Sequence, residues 1–242
     1  MYKRRKQFVA FFVGLLQTER LYSVQITERK MLIKQVPLSG VITTNGYFYI
    51  DEQSRHGFLI DAAAEPEVLA QIIKENDWVI EKILLTHGHF DHIGAVAQLH
   101  RQLGVPYYIY EVGKEMLRRP EFNLSAFMGD EIVLDGAQSL ADGEVVAIET
   151  QPKMALKVIH VPGHTPDSVV FYDADNKVAF VGDTIFKGSV GATHFPLGDE
   201  AALKRSIKEK IMSLPEDTIL YSGHSEPTTV ANERDNPFLI SV

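Results

Sequence analysis

The chain has 242 residues, 45% of them hydrophobic and 23% charged, enough apolar side chains for the core of one large domain or two small ones. A formal charge of −8 argues against a surface that coats nucleic acid. With no cysteine there is neither a disulfide framework nor a thiolate metal site.

The first thirty residues stand apart from the rest. Lys3, Arg4, Arg5, Lys6, Arg20, Arg29 and Lys30 face only Glu19 and Glu28, and residues 8–16 form an apolar run. That run is shorter than the roughly 20 residues of a membrane span, and no small-x-small cleavage pattern follows it. Three readings stay open: a membrane-surface anchor, a poor signal peptide, or an extension ahead of a natural start at Met31. The last is favoured because a clean strand pattern begins there. The expectation is a cytoplasmic protein without a stable membrane span. Residues 1–30 would be an extension and 31–242 a single domain.

From Met31 the chain reads as the strands "MLIKQV", "VITTN", "GYFYID" and "HGFLID", with alternating or β-branched residues between turn formers. "PEVLAQIIKEN" reads as a helix with Pro66 in its first turn. "VIEKILL" is a buried strand, "DHIGAVAQLHRQLG" a helix ended by Gly104, and "YYIY" a further strand. Residues 120–130, "PEFNLSAFMGD", form a loop with apolar residues, a substrate lid or simply a packed loop, with the lid slightly favoured. The order then repeats with the strands "EIVL", "EVVAIET", "LKVIHV", "SVVFYD" and "KVAFVG". The helix "DEAALKRSIKEKIMSL" follows, with Leu203, Ile207 and Ile211 facing the core, and then the strand "TILYSG". Two such halves predict an α/β fold, a four-layer αββα sandwich of two mixed sheets with helices on the outer faces.

The chemistry-bearing residues gather at strand exits. "THGHFDH" follows the strand ending at Leu85, and residues two apart in an extended segment point the same way, so His87 and His89 can address one ion. Asp91 and His92 begin the next helix and face another direction, which calls for two ions rather than one. Asp91 can also serve as a helix N-cap. "HVPGHTPDS" places His164 after a turn that Gly163 permits. The hairpin turning near residues 173–176 starts beside His164 and returns at Asp183, so those two share one end. "TILYSGH" delivers His224. Five histidines and two aspartates then complete two ions, one on His87, His89 and His164, the other on Asp91, His92 and His224, with Asp183 bridging. Ions roughly 3.5–4 Å apart can share a hydroxide of near-neutral pKa. His56, His100 and His160 read as packed or surface residues.

"THGHFDH", "PGHT", "GDTIF" and "YSGH" resemble the ordered motifs of the metallo-β-lactamase superfamily. They span residues 86–224 and coincide with the seven ligand positions of its dinuclear members. "FKGSVG…FPLGD", "LPEDTILYSGH" and "EPTTVANERDNPFL" are similar to the compact glyoxalase II-like hydrolases. The resemblance implies hydrolysis of a thioester of the S-lactoylglutathione type through a hydroxide held by two divalent ions. Zn²⁺ is expected, with Fe²⁺ or Mn²⁺ as alternatives, and Asp91 and Asp183 would orient the hydroxide. Where the compact relatives usually carry glycine this chain has Asp167, and "GRTD" is replaced by "GATH", so Ala192 and His194 stand for an arginine and an aspartate. His194 and Lys187 are the candidate substrate contacts, against plainer readings as an exposed loop residue and a solvated charge. The rival activities are a lactonase, a β-lactamase and a mononuclear iron persulfide dioxygenase using His87, His164 and Asp183. The expected partner is a small-molecule thioester; the sequence leaves the oligomeric state open.

Overall fold

The computed structural model describes residues 30–150 and 154–240. The basic and apolar N-terminal segment, apart from Lys30, lies outside the described residues. No helix among them is long and apolar enough to cross a membrane.

The first half runs β1 (Met31–Ser39), β2 (Thr43–Asp51), β3 (His56–Ile60), α1 (Pro66–Glu75), β4 (Val79–Leu84), α2 (Phe90–Ile93), α3 (Val96–Leu103), β5 (Tyr107–Tyr110), α4 (Gly113–Arg118) and β6 (Gln138–Leu140). Its six strands pair in chain order, antiparallel from β1 to β3 and parallel from β3 to β6. The second half comprises β7 (Val145–Ala147), β8 (Ala155–His160), β9 (Val169–Asp173), β10 (Val178–Gly182), β11 (Ile185–Phe186), β12 (Ser189–Val190), α5 (Glu200–Ser206), β13 (Ile219–Ser222), β14 (Thr228–Thr229), α6 (Val230–Glu233) and α7 (Pro237–Ile240). Its main sheet has the order β14-β13-β10-β9-β8-β7, with only β10 and β13 parallel; β11 and β12 form a separate hairpin.

Strand alternation sets the layers. Tyr47, Tyr49, Phe58 and Ile60 point from the first sheet toward Val169, Phe171, Val178 and Phe180 of the second, and all are buried. The residues between them point outward. Phe48, Ile50 and Leu59 pack under Leu69 and Ile73 of α1 and Val96 and Leu99 of α3. On the opposite side Val170, Ala179 and Val181 pack under Leu203, Ile207 and Ile211. Three apolar interfaces separate four layers, the αββα sandwich that the pattern of strands and helices predicts.

Local departures have identifiable causes. The predicted strands at residues 41–45 and 46–51 are one strand, because the turn falls earlier, between β1 and β2. The predicted helix from Asp91 to Gly104 breaks after Ile93. There Ala95 donates its N–H to the Ala62 carbonyl, and a Cβ at Gly94 would sit 2.4 Å from the Ala63 oxygen, so the chain is held by β3's exit instead. Residues 131–134 form no strand. Asn123 Nδ2 donates to the Ile132 carbonyl, Ile132 N–H donates to Ser125 Oγ, and Leu134 N–H donates to the Leu117 carbonyl, so this backbone is already paired. The last long helix starts at the Asp199 cap and continues from α5 as a π turn over Ile207–Ile211, keeping both isoleucines inward.

Candidate metal centre

The carboxyl ends of β3, β4, β10 and β13 lie at one edge of the sandwich, because β4 runs parallel to β3 and β13 parallel to β10. Two backbone hydrogen bonds tie the sheets together there: Val169 N–H to the Thr86 carbonyl, and Asn45 N–H to the Gly223 carbonyl. These four strand exits therefore deliver the side chains that follow them to the same place.

All seven residues singled out in the sequence converge at this edge. His87 and His89 follow β4, Asp91 and His92 sit in α2, His164 lies between β8 and β9, Asp183 follows β10 and His224 follows β13. His87 Nε2 and His164 Nε2 lie 3.2 and 3.0 Å from His89 Nδ1. Donor nitrogens at the corners of a tetrahedron with 2.0–2.1 Å bonds are about 3.3 Å apart, so the trio has the spacing of three ligands on one ion. Across the cluster, His224 Nε2 lies 3.2 Å from Asp91 Oδ2 and 3.1 Å from Asp183 Oδ2. His92 Nε2 lies 3.3 Å from Asp183 Oδ1, and neither atom has a hydrogen bond of acceptable geometry although both are buried. Asp183 Oδ2 is also 3.7 Å from His164 Nε2, so this one carboxylate faces both groups. Buried acceptors facing one another without donors fit a cation between them.

The far nitrogens of four of the five imidazoles, all but His89, have a partner. His164 Nδ1–H donates to the Ala192 carbonyl at 2.6 Å and His224 Nδ1–H to the Thr43 carbonyl at 3.0 Å. His92 Nδ1 lies 2.9 Å from Asp61 Oδ2. Asp61 also accepts from Thr86 N–H at 2.8 Å and Thr86 Oγ at 2.7 Å, and that hydroxyl lies 3.2 Å from His87 Nδ1. Asp61 thus fixes the tautomer of His92 directly and of His87 through Thr86, leaving each Nε2 lone pair facing the cluster. The sequence reading missed Asp61. Its signal was present in "HGFLID", an aspartate at the exit of an apolar strand, the same signature that marks Asp183.

Two glycines make the convergence possible. Gly163 has φ +146°, and a Cβ there would strike the Leu203 backbone at 2.2 Å. A Cβ at Gly223 would lie 2.3 Å from Asp183 Oδ1 and 2.7 Å from His92 Cε1. Asp91 does not cap α2; its Oδ2 accepts from Thr44 Oγ at 3.0 Å and faces His224.

Electrostatics divide the cluster into two halves. Burial, reinforced by neighbouring imidazoles, holds His87 well below the usual histidine value and His89 down at about 3. Burial likewise lowers His164. Burial opposes charge at His92 too, but Asp183, Asp61 and Asp91 together push it well up. At His224 burial is overcome by the hydrogen bonds it donates to Asp183 and Asp91, which lift it to about 10. Burial works against the charged forms of Asp91 and Asp183, yet both are held low, chiefly by His92 and His224.

A cleft of about 220 Å³ opens over the cluster, lined by His89, Asp91, His164, Asp183 and His224 and by Ile42, Phe90, Leu124, Met128, Phe186, Ala192 and Phe195. Leu124 and Met128 come from the loop at residues 120–130, which lies at the mouth. His194 and Lys187 do not line it. His194 is exposed, packs on Phe195, and lines a separate hollow of about 300 Å³ between residues 190–194 and α5. Lys187 Nζ pairs with Glu226 at 2.7 Å, and its side chain is 56% exposed. His56, His100 and His160 also stand outside the cluster; His56 pairs with Glu81, and His160 stacks on Tyr110.

Comparison with known proteins places this geometry. The family model described as metallo-beta-lactamase superfamily matches residues 40–224. The chain is 34% identical over 221 residues to the hydroxyacylglutathione hydrolase GloC of Haemophilus influenzae, covering 87% of this chain and 99% of that protein. It is 36% identical over 202 residues to the probable metallo-hydrolase YqgX of Bacillus subtilis, covering 83% and 94%. Among solved structures it is similar to the BLEG-1 B3 metallo-beta-lactamase, with TM-score 0.81, 37% identity and coverage of 87% and 100%. It is also similar to TTHA1623 in a di-iron-bound form, with TM-score 0.75, 34% identity and coverage of 85% and 100%.

Proposed function

The chain belongs to the metallo-β-lactamase superfamily, and from that premise we propose that it is a dinuclear hydrolase that cleaves a thioester. The observation carrying the reading is the pair of facing ligand sets, His87–His89–His164 and Asp91–His92–His224, with Asp183 between them. Two divalent ions held there would supply Lewis acidity toward an acyl oxygen and a water ionised near neutral pH. Zn²⁺ suits this oxygen and nitrogen donor set, as do Fe²⁺ and Mn²⁺, and the likeness to a di-iron protein keeps iron in play.

The chain's own groups perform the remaining work. Asp91 and Asp183 hold the attacking water toward the cleft, and Asp61 keeps His87 and His92 in the tautomers that leave their Nε2 atoms free. The water oxygen bonds the acyl carbon as it gives up a proton, the C–S bond breaks with its electron pair leaving on sulfur, the thiolate takes up that proton, and a carboxylic acid and a free thiol result. A thiol of pKa about 8.5 is a good leaving group, so the reaction does not require a strong general acid. The likeness to a hydroxyacylglutathione hydrolase supports a thioester of the S-lactoylglutathione type. Metal-loaded protein should hydrolyse S-D-lactoylglutathione or a simpler thioester, and chelation should abolish the rate. Metal-loaded protein without thioester turnover would sink the reading.

A second reading draws on His87, His164 and Asp183, a two-histidine, one-carboxylate set of the kind that holds a single Fe²⁺ in oxygenases. Oxygen consumption with a glutathione persulfide would establish it in place of hydrolysis.

A further inference from the structure

The walls of the cleft carry an inference about the substrate that rests on the thioesterase reading. Ile42, Phe90, Leu124, Met128, Phe186 and Phe195 surround the ligand cluster. On the other side of Ile42, Phe90 and Asp91, which line both spaces, a second hollow of about 250 Å³ adjoins the cleft between the β1–β2 turn and the exit of β3. Its floor and sides are Gly40, Val41, Ala63, Ala64, Pro66 and Ile132. Among the described residues no lysine or arginine lines either space, and the charged groups that do, apart from the ligand cluster itself, reduce to Glu65 at the far hollow. Glu65 Oε2 is occupied by the Ser39 N–H at 2.6 Å. Val41 and Ile42 stand 68% and 46% exposed at the rim. A run of exposed apolar side chains continuous with a reaction centre marks a binding groove rather than ordinary surface.

We propose that the acyl group taken by this site is an uncharged, unbranched apolar chain, laid from the ligand cluster past Ile42 and Phe90 into the hollow bounded by Val41, Ala64 and Ile132. The carbonyl then sits over the cluster, and the methylenes replace water against aliphatic walls. A carboxylate-bearing acyl group is disfavoured there, because no cation waits for it and Glu65 repels it. A lactoyl group is too short to reach the hollow and gains nothing from it.

The test is a series of neutral thioesters on one small thiol: S-acetyl-, S-butyryl-, S-hexanoyl- and S-octanoyl-N-acetylcysteamine, offered to metal-loaded wild type and to Val41→Asp. Full burial of one methylene corresponds to about fourfold in rate constant, so kcat/KM should climb by about two- to fourfold per methylene along the series. Val41→Asp, at an exposed turn position, should flatten that climb. A series that is level, or that favours acetyl, overturns the inference and leaves the thioesterase reading standing. If no member is hydrolysed and S-D-lactoylglutathione is not either, the thioesterase reading fails, and calorimetry with the non-hydrolysable S-octyl-N-acetylcysteamine decides the groove by itself. Binding to wild type that is lost in Val41→Asp supports an apolar-chain site; no binding to wild type removes it.

Discussion

Asp61 is the residue on which the site's order depends most. It is buried, takes three hydrogen bonds, and sets the proton positions of two candidate ligands. Replacing it by asparagine keeps the volume but leaves an amide free to present a donor to His92 Nδ1. Asp61→Asn should weaken metal binding by about 10- to 100-fold with the fold intact, read by competition against a chromophoric chelator. Unchanged affinity would mean that the imidazoles are oriented by their ligand geometry alone. The protonation of the cluster gives a second outcome. In the chelated protein His224 is raised to about 10 and His92 well above its usual value, so both carry protons at pH 7. Their contribution to stability is full below an unfolded pKa of about 6.5 and disappears as pH rises through the folded values. His87, His89 and His164 are lowered, so they cost stability as pH falls below about 6.5. Chelated protein should therefore be most resistant to urea near pH 6.5 and weaken toward pH 10. Loading at pH 7 should release protons, seen as a buffer-dependent calorimetric enthalpy. A buffer-independent enthalpy would contradict the assigned protonation. The seven cluster residues were legible because each terminates an apolar strand or begins a helix. Asp61 carried the same mark and was missed because "HGFLID" lies outside the histidine motifs. His194 and Lys187 stand outside the cleft lining, packed on Phe195 and paired with Glu226, because a loop's direction is set by contacts that its own sequence does not carry.

At the element scale, close approach rather than propensity shapes the supports. The loop after β13 passes directly beneath Asp183 and His92, and only glycine at 223 leaves them room. Gly223→Ala should cost about 1–3 kcal/mol of stability and lower metal affinity in the same protein, measured by urea denaturation and metal titration. A stable variant with normal affinity would show that the loop can yield. The helix that closes the second outer layer is held by Leu203, Ile207 and Ile211, all buried. Ile207→Ala should cost about 2–5 kcal/mol, and a loss below 1 kcal/mol would mean that the π turn closes over the gap. Periodicity located this helix, α1 and the core strands, because spacing of buried positions is a local property. It overran α2 into α3, since the break there comes from the Ala62 and Ala63 carbonyls, contributed by the segment that leaves β3 about thirty residues earlier. It also placed a strand at residues 131–134, where side chains of Asn123 and Ser125 had taken the backbone partners.

For the whole molecule, the two-sheet architecture is what turns scattered motifs into one site. Histidine motifs nearly 140 residues apart in the chain meet because parallel pairs β3–β4 and β10–β13 end at the same edge. The sandwich was legible from the repeated order of strands and helices. The short pieces β6, β11, β12, β14 and α4 were not, because two- to six-residue elements carry too little periodicity to register. Two ions on two distinct ligand sets should be visible in the metal stoichiometry. Protein loaded anaerobically with Fe²⁺ or aerobically with Zn²⁺ and freed of excess should carry two ions per chain. His224→Ala should retain one, held by His87, His89 and His164, and so should His89→Ala, held by the opposite set. A wild type that binds one ion, keeps it undiminished in His224→Ala, and loses it in His89→Ala would contradict the account and leave a mononuclear site.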